Sequence, residues 1–480
     1  MRDHPFLAGG ACLLALLFAS NVYRAANQSI VHDEALTYQL FLAGPSSLMF
    51  DSYDANHHVL HTYLCKVSVS VFGLSELSMR LPSLLGGALY LALTFLISRY
   101  LFGDGWLFLL STAFLSLHPL LLDLLSAARG YGMAVGFWLL SLYYLFRCLC
   151  EDVRLKWLYI AAAGGALSVA SNLTLLYVNV ACGLVFLFAL TRRAPAPPAR
   201  KKHRGPDQGS AALRGLLHFA LPAALLAWLI VSPPLSHATK DQFYAGATSL
   251  YQGAASLIEG VLGKLAGATP AVVGGLVPAV LGVAAFFAWR TQRDRRWPWS
   301  RIDACFLLIG GAVPVLLILL LVGHYGFDLP YPEGRTALYW IPLFGLASLA
   351  IASRFPAFAV LPAVCALLFA LRFDLGYYRA WAYDGAARRM MEQIGQQPRA
   401  GPVRIGATWQ LEPALNFYRV MRDYGWIDPI RRQSPAFGTY DYYALWNEDR
   451  ALVEKLRLTP LLNDPKAGTV LARKVTPTAR

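Results

Sequence analysis

The chain has 480 residues, 56% of them hydrophobic and 15% charged, where a soluble domain carries about 25% charged residues. The apolar residues are gathered in blocks, which excludes a soluble globular protein and points to a multi-pass α-helical membrane protein with the lipid bilayer as its first partner. The formal charge of +14 would suit a nucleic-acid binder. The densest basic runs, TRRAPAPPARKKHRGPDQGSAALR and RTQRDRRWPWSR, lie between apolar blocks, however, so they read as the positive-inside signal and imply no nucleic-acid partner.

In chain order, the first apolar block is Phe6–Tyr23. It lacks a convincing small-residue cleavage site and reads as a retained first span, with MRDHP in the cytoplasm. An outer loop at 24–82 follows, carrying His32, Asp33, Glu34, Asp51, Asp54, His57, His58 and His61. Ionisable groups beside hydrocarbon are costly and mark functional candidates. In HDEA, either Asp33 or Glu34 could accept a proton as a general base. Equally, Asp33 could cap a helix over EALTYQLFLAG. His57 and His61 are four apart, a metal-ligand spacing on a helix. The alternative is that they are polar residues on a helix lying along the membrane surface, with Leu60, Leu64, Val67 and Val71 as its apolar stripe.

The further spans are Ser83–Leu101, Trp106–Leu122, a fourth opening after SAARGYG and ending near Cys148, Trp157–Ala170, Leu173–Leu190 and Leu216–Pro234. A second outer loop at 235–269 precedes Pro270–Trp289, Ala304–Gly323, Ala337–Ser353 and Phe355–Phe373. Eleven spans make 1–373 a transmembrane domain and put the C-terminus outside. Region 374–480 reads as a small α/β domain, with helices over DGAARRMMEQIGQQ, EPALNFYRVMRDYG and EDRALVEKLR and strands at VRIGATW, YDYYALW and GTVLAR. No solenoid repeat and no inverted pair of broken helices is visible. The seven cysteines show neither a disulfide framework nor a zinc ribbon.

Three arginines sit at outer lips of spans, where the positive-inside rule disfavours them: Arg80, Arg129 and Arg335. A guanidinium binds phosphate oxygens in a bidentate way. Snorkelling or capping would also account for Arg80. Arg335 is flanked by Tyr331, Pro332 and Glu333, a setting that favours a ligand. Acids, a candidate divalent-metal site and phosphate-binding arginines suit a substrate with a lipid tail and a phosphate head. There is no P-loop or Gly-rich nucleotide fingerprint, so no nucleotide cofactor is expected.

HDEALTY after the first span, HTYLCKVSVSVFGLSELSMRLPSLLGGALYL, SAARGYGM and GRTALYWIPLF together resemble the GT-C membrane glycosyltransferases. Within them the chain is similar to the protein mannosyltransferase and aminoarabinose transferase superfamily, including bacterial Rgt-like lipopolysaccharide glycosyltransferases. The resemblance covers the N-terminal half well and the later spans loosely. It implies a GT-C fold and a polyprenyl-phosphate sugar as donor. It also implies a cell-envelope acceptor (glycolipid, polysaccharide or protein) and a periplasmic active site on the bacterial inner membrane. It maps the catalytic base onto Asp33, with Glu34 beside it, and substrate or phosphate binding onto Arg129 and Arg335. Tyr331, His57 and His58 join the substrate-binding set, and His57 with His61 remains the candidate metal pair. Many relatives carry an acid where Ala127 and Ala128 stand, so Asp123 is the candidate second acid. The implied reaction is a single, inverting displacement. A polyprenyl-linked glycan transporter or flippase, or a surface-glycan ligase or polymerase, would share the outer arginines.

Overall fold

The computed structural model describes residues 4–192, 208–243, 246–294, 297–397 and 401–474. Most of the basic run expected in the cytoplasm, 193–207, therefore lies outside the described residues, as do positions 295–296 of the second run.

Among the described residues, seven helices are long and apolar enough to cross a membrane: Pro5–Asn27, Glu76–Phe102, Gly130–Cys150, Leu173–Thr191, Ala211–Leu235, Thr269–Asp294 and Arg301–Phe327. The shorter apolar helices Trp106–Leu117, Leu155–Ser171, Trp340–Arg354 and Pro356–Leu371 stand where the sequence places the remaining spans, and Val59–Phe72 where it places the surface helix. The expected third span does not run on to Leu122. It stops at His118, because Pro119 disfavours helical backbone in the residue before it, and Pro119–Leu124 is a separate turn.

The helices pack closely through small residues. A Cβ on Gly86 would lie 2.6 Å from the Met133 Cα, so only glycine lets Glu76–Phe102 approach Gly130–Cys150 this closely. Pro82 sits inside Glu76–Phe102 and lacks the N–H that would bond the Ser78 carbonyl. The Ser68 hydroxyl from Val59–Phe72 donates to that carbonyl instead, at 2.7 Å, and ties the two helices together.

The C-terminal part carries a four-stranded sheet in the order β1-β2-β4-β3, with β1 Ile405–Ala407, β2 Tyr442–Trp446, β3 Thr459–Asp464 and β4 Thr469–Arg473. β1 and β2 are parallel, whereas β4 runs antiparallel to both β2 and β3. β3 was not foreseen, since TPLLND is half exposed and carries no apolar alternation. The helices Ala387–Gly395 and Glu412–Met421 cover the sheet with Met390, Met391, Ile394, Leu415 and Phe417.

This core is not closed on itself. Ile30, Ala35, Phe41, Met49, Cys65 and Met79, all from the first loop and its flanks, belong to the same apolar cluster. Tyr418 stitches the seam, accepting from the Ile30 N–H at 2.8 Å and donating to Glu76 at 2.8 Å. Arg388 adds an ion pair to Glu76 at 2.7 Å. The first loop is thus built into the C-terminal part.

Candidate active site

The chain turns sharply after the first span and begins a short helix, His32–Thr37. Its N-terminal donors are satisfied by carboxylates other than that of Asp33. Glu34 accepts from the Val31 N–H at 2.9 Å, and Asp384 accepts from the His32 N–H at 2.6 Å. The capping alternative for Asp33 is therefore set aside, and its side chain is free to face inward.

Two guanidinium groups meet it there. Arg335 Nη1 lies 2.7 Å from Asp33 Oδ2, and Arg129 Nη2 lies 3.8 Å from the same oxygen. Burial pushes the Asp33 carboxyl up, but Arg129, Arg335, His32 and the Trp381 indole outweigh it and hold the group below the usual aspartate range. Arg129 is buried at the start of Gly130–Cys150 and points Nη1 at the Asp33 carbonyl and the Thr37 hydroxyl, each 3.4 Å away. Gly130 makes that placement feasible: a Cβ there would lie 2.0 Å from the Ser171 carbonyl and 2.8 Å from the His58 Cβ. Arg335 comes from the short helical turn Gly334–Ala337 and stacks over Trp381, 5.3 Å from the ring centroid.

Glu34 differs from its neighbour. It is fully buried, and Arg80 grips it with two hydrogen bonds of 2.8 and 2.6 Å. The Val31 and Ala128 N–H groups also donate to it. Arg80 spends its other donors on the carbonyls of Ala25, Gln28 and Ser29. Arg80 is thus neither snorkelling nor open to phosphate, and Glu34 has the geometry of a structural acid. Asp123, the alternative second acid, pairs with Arg24 and accepts from the Arg379 N–H at 2.8 Å, both in the interior.

The histidines spread in different directions. His57 stacks on Phe41 at 4.2 Å, and burial pushes it down to about 4. His61 reaches Ser83 Oγ at 2.8 Å, and burial pushes it down to about 3. Among the described residues, no group of three His, Cys, Asp or Glu side chains is placed to hold a metal. His57 and His61 do not fit the metal expected of them, because His61 is bonded to Ser83 and, among the described residues, no third ligand joins them. His58 is better placed, bonded to Asn172 at 3.1 Å, edge-on to Tyr131, and with Nε2 buried and unpartnered. Burial, and then Arg129, push it well below its ordinary value. Tyr331 lies apart, its ring stacked on His324 at 4.3 Å and its backbone bridged to Ala247.

Arg335 also lines a cavity of about 700 Å³ whose mixed wall includes Arg379, Glu333, Ser256, Tyr377 and His118. This cavity shares His118, Leu257 and Val261 with an apolar cavity of about 780 Å³ between Leu250–Leu262 and the later spans.

Residues 56–199 match the family described as dolichyl-phosphate-mannose-protein mannosyltransferase. That match covers under a third of the chain. The matched segment includes Arg80 and Arg129 but neither Asp33 nor Arg335, so the placing of those two rests on geometry alone. No curated protein sequence matches the chain. ArnT from Cupriavidus metallidurans in the apo state is similar with a TM-score of 0.47 and 14% identity, covering 98% of each chain. The arabinofuranosyltransferase AftD from Mycobacteria is similar with a TM-score of 0.46 and 15% identity, over 84% of this chain and 30% of that one. The oligosaccharyltransferase AglB from Archaeoglobus fulgidus, in complex with an inhibitory peptide and a dolichol-phosphate, has a TM-score of 0.42 and 12% identity, over 97% and 74%.

Sequence reasoning missed Trp381 and Asp384. Both lie in YYRAWAYDGAARR, just past the last span. An aromatic and charged run so close to a span end was the available signal, and the change in composition there directed attention to a separate domain instead.

Proposed function

We propose that the chain transfers a sugar from a polyprenyl-phosphate donor to a cell-envelope acceptor on the periplasmic face of the bacterial inner membrane. The observation that carries this reading is the position of Arg335. It touches Asp33 on one side and lines, on the other, a cavity carrying Arg379 and Glu333 that shares lining residues with a more apolar one. An amphiphile with an anionic head fits that sequence of surfaces, with its tail in the apolar cavity and its phosphate at Arg335 and Arg379. The name of the matched family, which contains a lipid-phosphate sugar, supports the same donor class.

In this reading Asp33 is the general base. At rest it is a poor one, because two guanidinium groups stabilise its ionised form. A bound phosphate competes for Arg335 and neutralises its charge, so Asp33 becomes more basic as the donor arrives. The acceptor hydroxyl or amine then attacks the anomeric carbon and gives its proton to Asp33. The bond from that carbon to the phosphate oxygen breaks, and polyprenyl phosphate leaves with its charge held by the arginines. A single displacement inverts configuration. No step runs through a metal.

The test is turnover of a labelled polyprenyl-phosphate sugar by purified protein. Asp33→Asn keeps the shape but cannot take a proton. Its turnover is expected to fall about a hundred- to ten-thousand-fold with donor still bound. Near wild-type turnover in Asp33→Asn would remove Asp33 as the base.

A further inference from the structure

The segment after the last span returns to the site and is fixed at both ends. At one end the Arg379 N–H donates to Asp123 at 2.8 Å, and at the other Asp384 accepts from the His32 N–H at 2.6 Å. Between them Trp381 is buried, only 2% exposed, with a backbone kink at φ −132° and ψ 39° that turns it out of the helical turn Arg379–Ala386. Its ring lies under the Arg335 guanidinium at 5.3 Å, and its indole is among the groups that favour the ionised Asp33 carboxylate. One side chain therefore bears on both members of the Asp33–Arg335 pair.

We infer that Trp381 is the positioning residue of the reaction, holding Asp33 by its indole N–H and Arg335 by its ring face in the separation they need for catalysis. The inference rests on the reading of Asp33 as base. The physics is specific. A cation over an indole face is held electrostatically, and Trp offers the strongest such face. An N–H donor to a carboxylate fixes one oxygen and leaves the other for the acceptor proton. When a donor phosphate draws Arg335 away from Asp33, Trp381 remains as a neutral contact to both, so the base does not swing after the departing cation. A lysine or arginine in its place would restore the very charge that donor binding neutralises.

The two contacts can be separated. Trp381→Phe keeps an aromatic face and loses the donor. Replacing the Trp381 indole by benzothiophene, through site-specific incorporation of benzothienylalanine, removes only the N–H and keeps the shape, so it stays informative if the Phe variant folds poorly. For either, kcat is expected to fall about tenfold or more, the change that ~1.4 kcal/mol of lost transition-state stabilisation produces, with donor KM little changed. The acid limb of kcat/KM should move to higher pH, because a donor to the ionised carboxylate has been lost while Arg129, Arg335, His32, Tyr383 and Asp384 still face Asp33. Trp381→Leu loses the face as well and should raise donor KM. A packing role alone would not shift the acid limb in the benzothiophene variant. Wild-type kcat and an unmoved limb in that variant, with Asp33→Asn inactive, would overturn the role of Trp381 and leave the base in place. Retained turnover in Asp33→Asn would overturn the base and this inference together.

Discussion

In the proposed reaction, Asp33 and Arg335 form a pair that the donor phosphate opens. At 2.7 Å, with the carboxylate side chain 10% exposed, the pair is close and little screened by water. This has a consequence for pH dependence. The profile of kcat/KM reports the free enzyme, whereas that of kcat reports the enzyme with substrate bound. In the free enzyme burial is outweighed by Arg129 and Arg335, so Asp33 stays ionised below the usual aspartate range. A group with a depressed value loses its base form only as pH falls through that lower value, so the acid limb of kcat/KM should lie low. With donor phosphate on Arg335 one of the two cations is compensated, and the limb of kcat should lie at higher pH than that of kcat/KM. Steady-state profiles over the acid range check this order. Coincident limbs would mean that donor phosphate does not engage Arg335. In Arg335→Lys a charge remains but the planar fork is lost, so donor KM should rise and turnover should fall while the protein stays folded.

The element that carries Asp33 is held by its neighbour in sequence. Glu34 and Arg80 are both fully buried and lock His32–Thr37 onto the start of Glu76–Phe102. HDEA gave no means to tell the two acids apart, since both are adjacent polar residues in a loop. The distinction comes from a helix that starts more than forty positions later. Arg80, Arg129 and Arg335 stood out as cations at the outer lips of spans, but only the structure separates Arg80, committed to Glu34, from the two that face Asp33. The histidine pair shows the converse. Four-residue spacing sets a shared helix face, but His57 lies before Val59–Phe72 begins, so the spacing rule does not apply to it. Removing one partner of a buried ion pair typically costs about 3–5 kcal/mol, because the other charge is left stranded. Glu34→Gln and Arg80→Met are each expected to lower the Tm in detergent clearly, and the double variant Glu34→Leu with Arg80→Met to lose less than the sum. Thermal unfolding of the three proteins checks this. Additive losses would show that the two residues act separately.

At the scale of the whole molecule, the contacts sort the loops into two groups at opposite ends of the helices. One end gathers Asp33, Arg129, Arg335 and Trp381, which touch one another. The other gathers His4 beside Asp104, Tyr100 bonded to Glu151, Arg301 over Tyr100 and Arg354 paired with Asp303. Leu173–Thr191 starts next to Asn172, which bonds His58 at the site end, so it delivers the chain to the opposite end just before the basic run at 193–207. In the proposed orientation, which follows the positive-inside rule, that opposite end faces the cytoplasm and the site faces outward. The C-terminal sheet follows the site, because its core is shared with Ile30, Phe41 and Met79. A reporter fused after Arg480 that is active only in the periplasm should therefore give signal, and a cysteine placed in the basic run should be labelled by an impermeant reagent only after the membrane is opened. The two measurements are independent, since one reads the sheet and the other a loop between spans. Labelling of the basic run in intact spheroplasts, together with a cytoplasmic signal from the fusion, would invert the topology. It would also place Asp33 where nucleotide sugars rather than lipid-linked ones are at hand, and so would remove the reason for a lipid-phosphate donor along with the orientation.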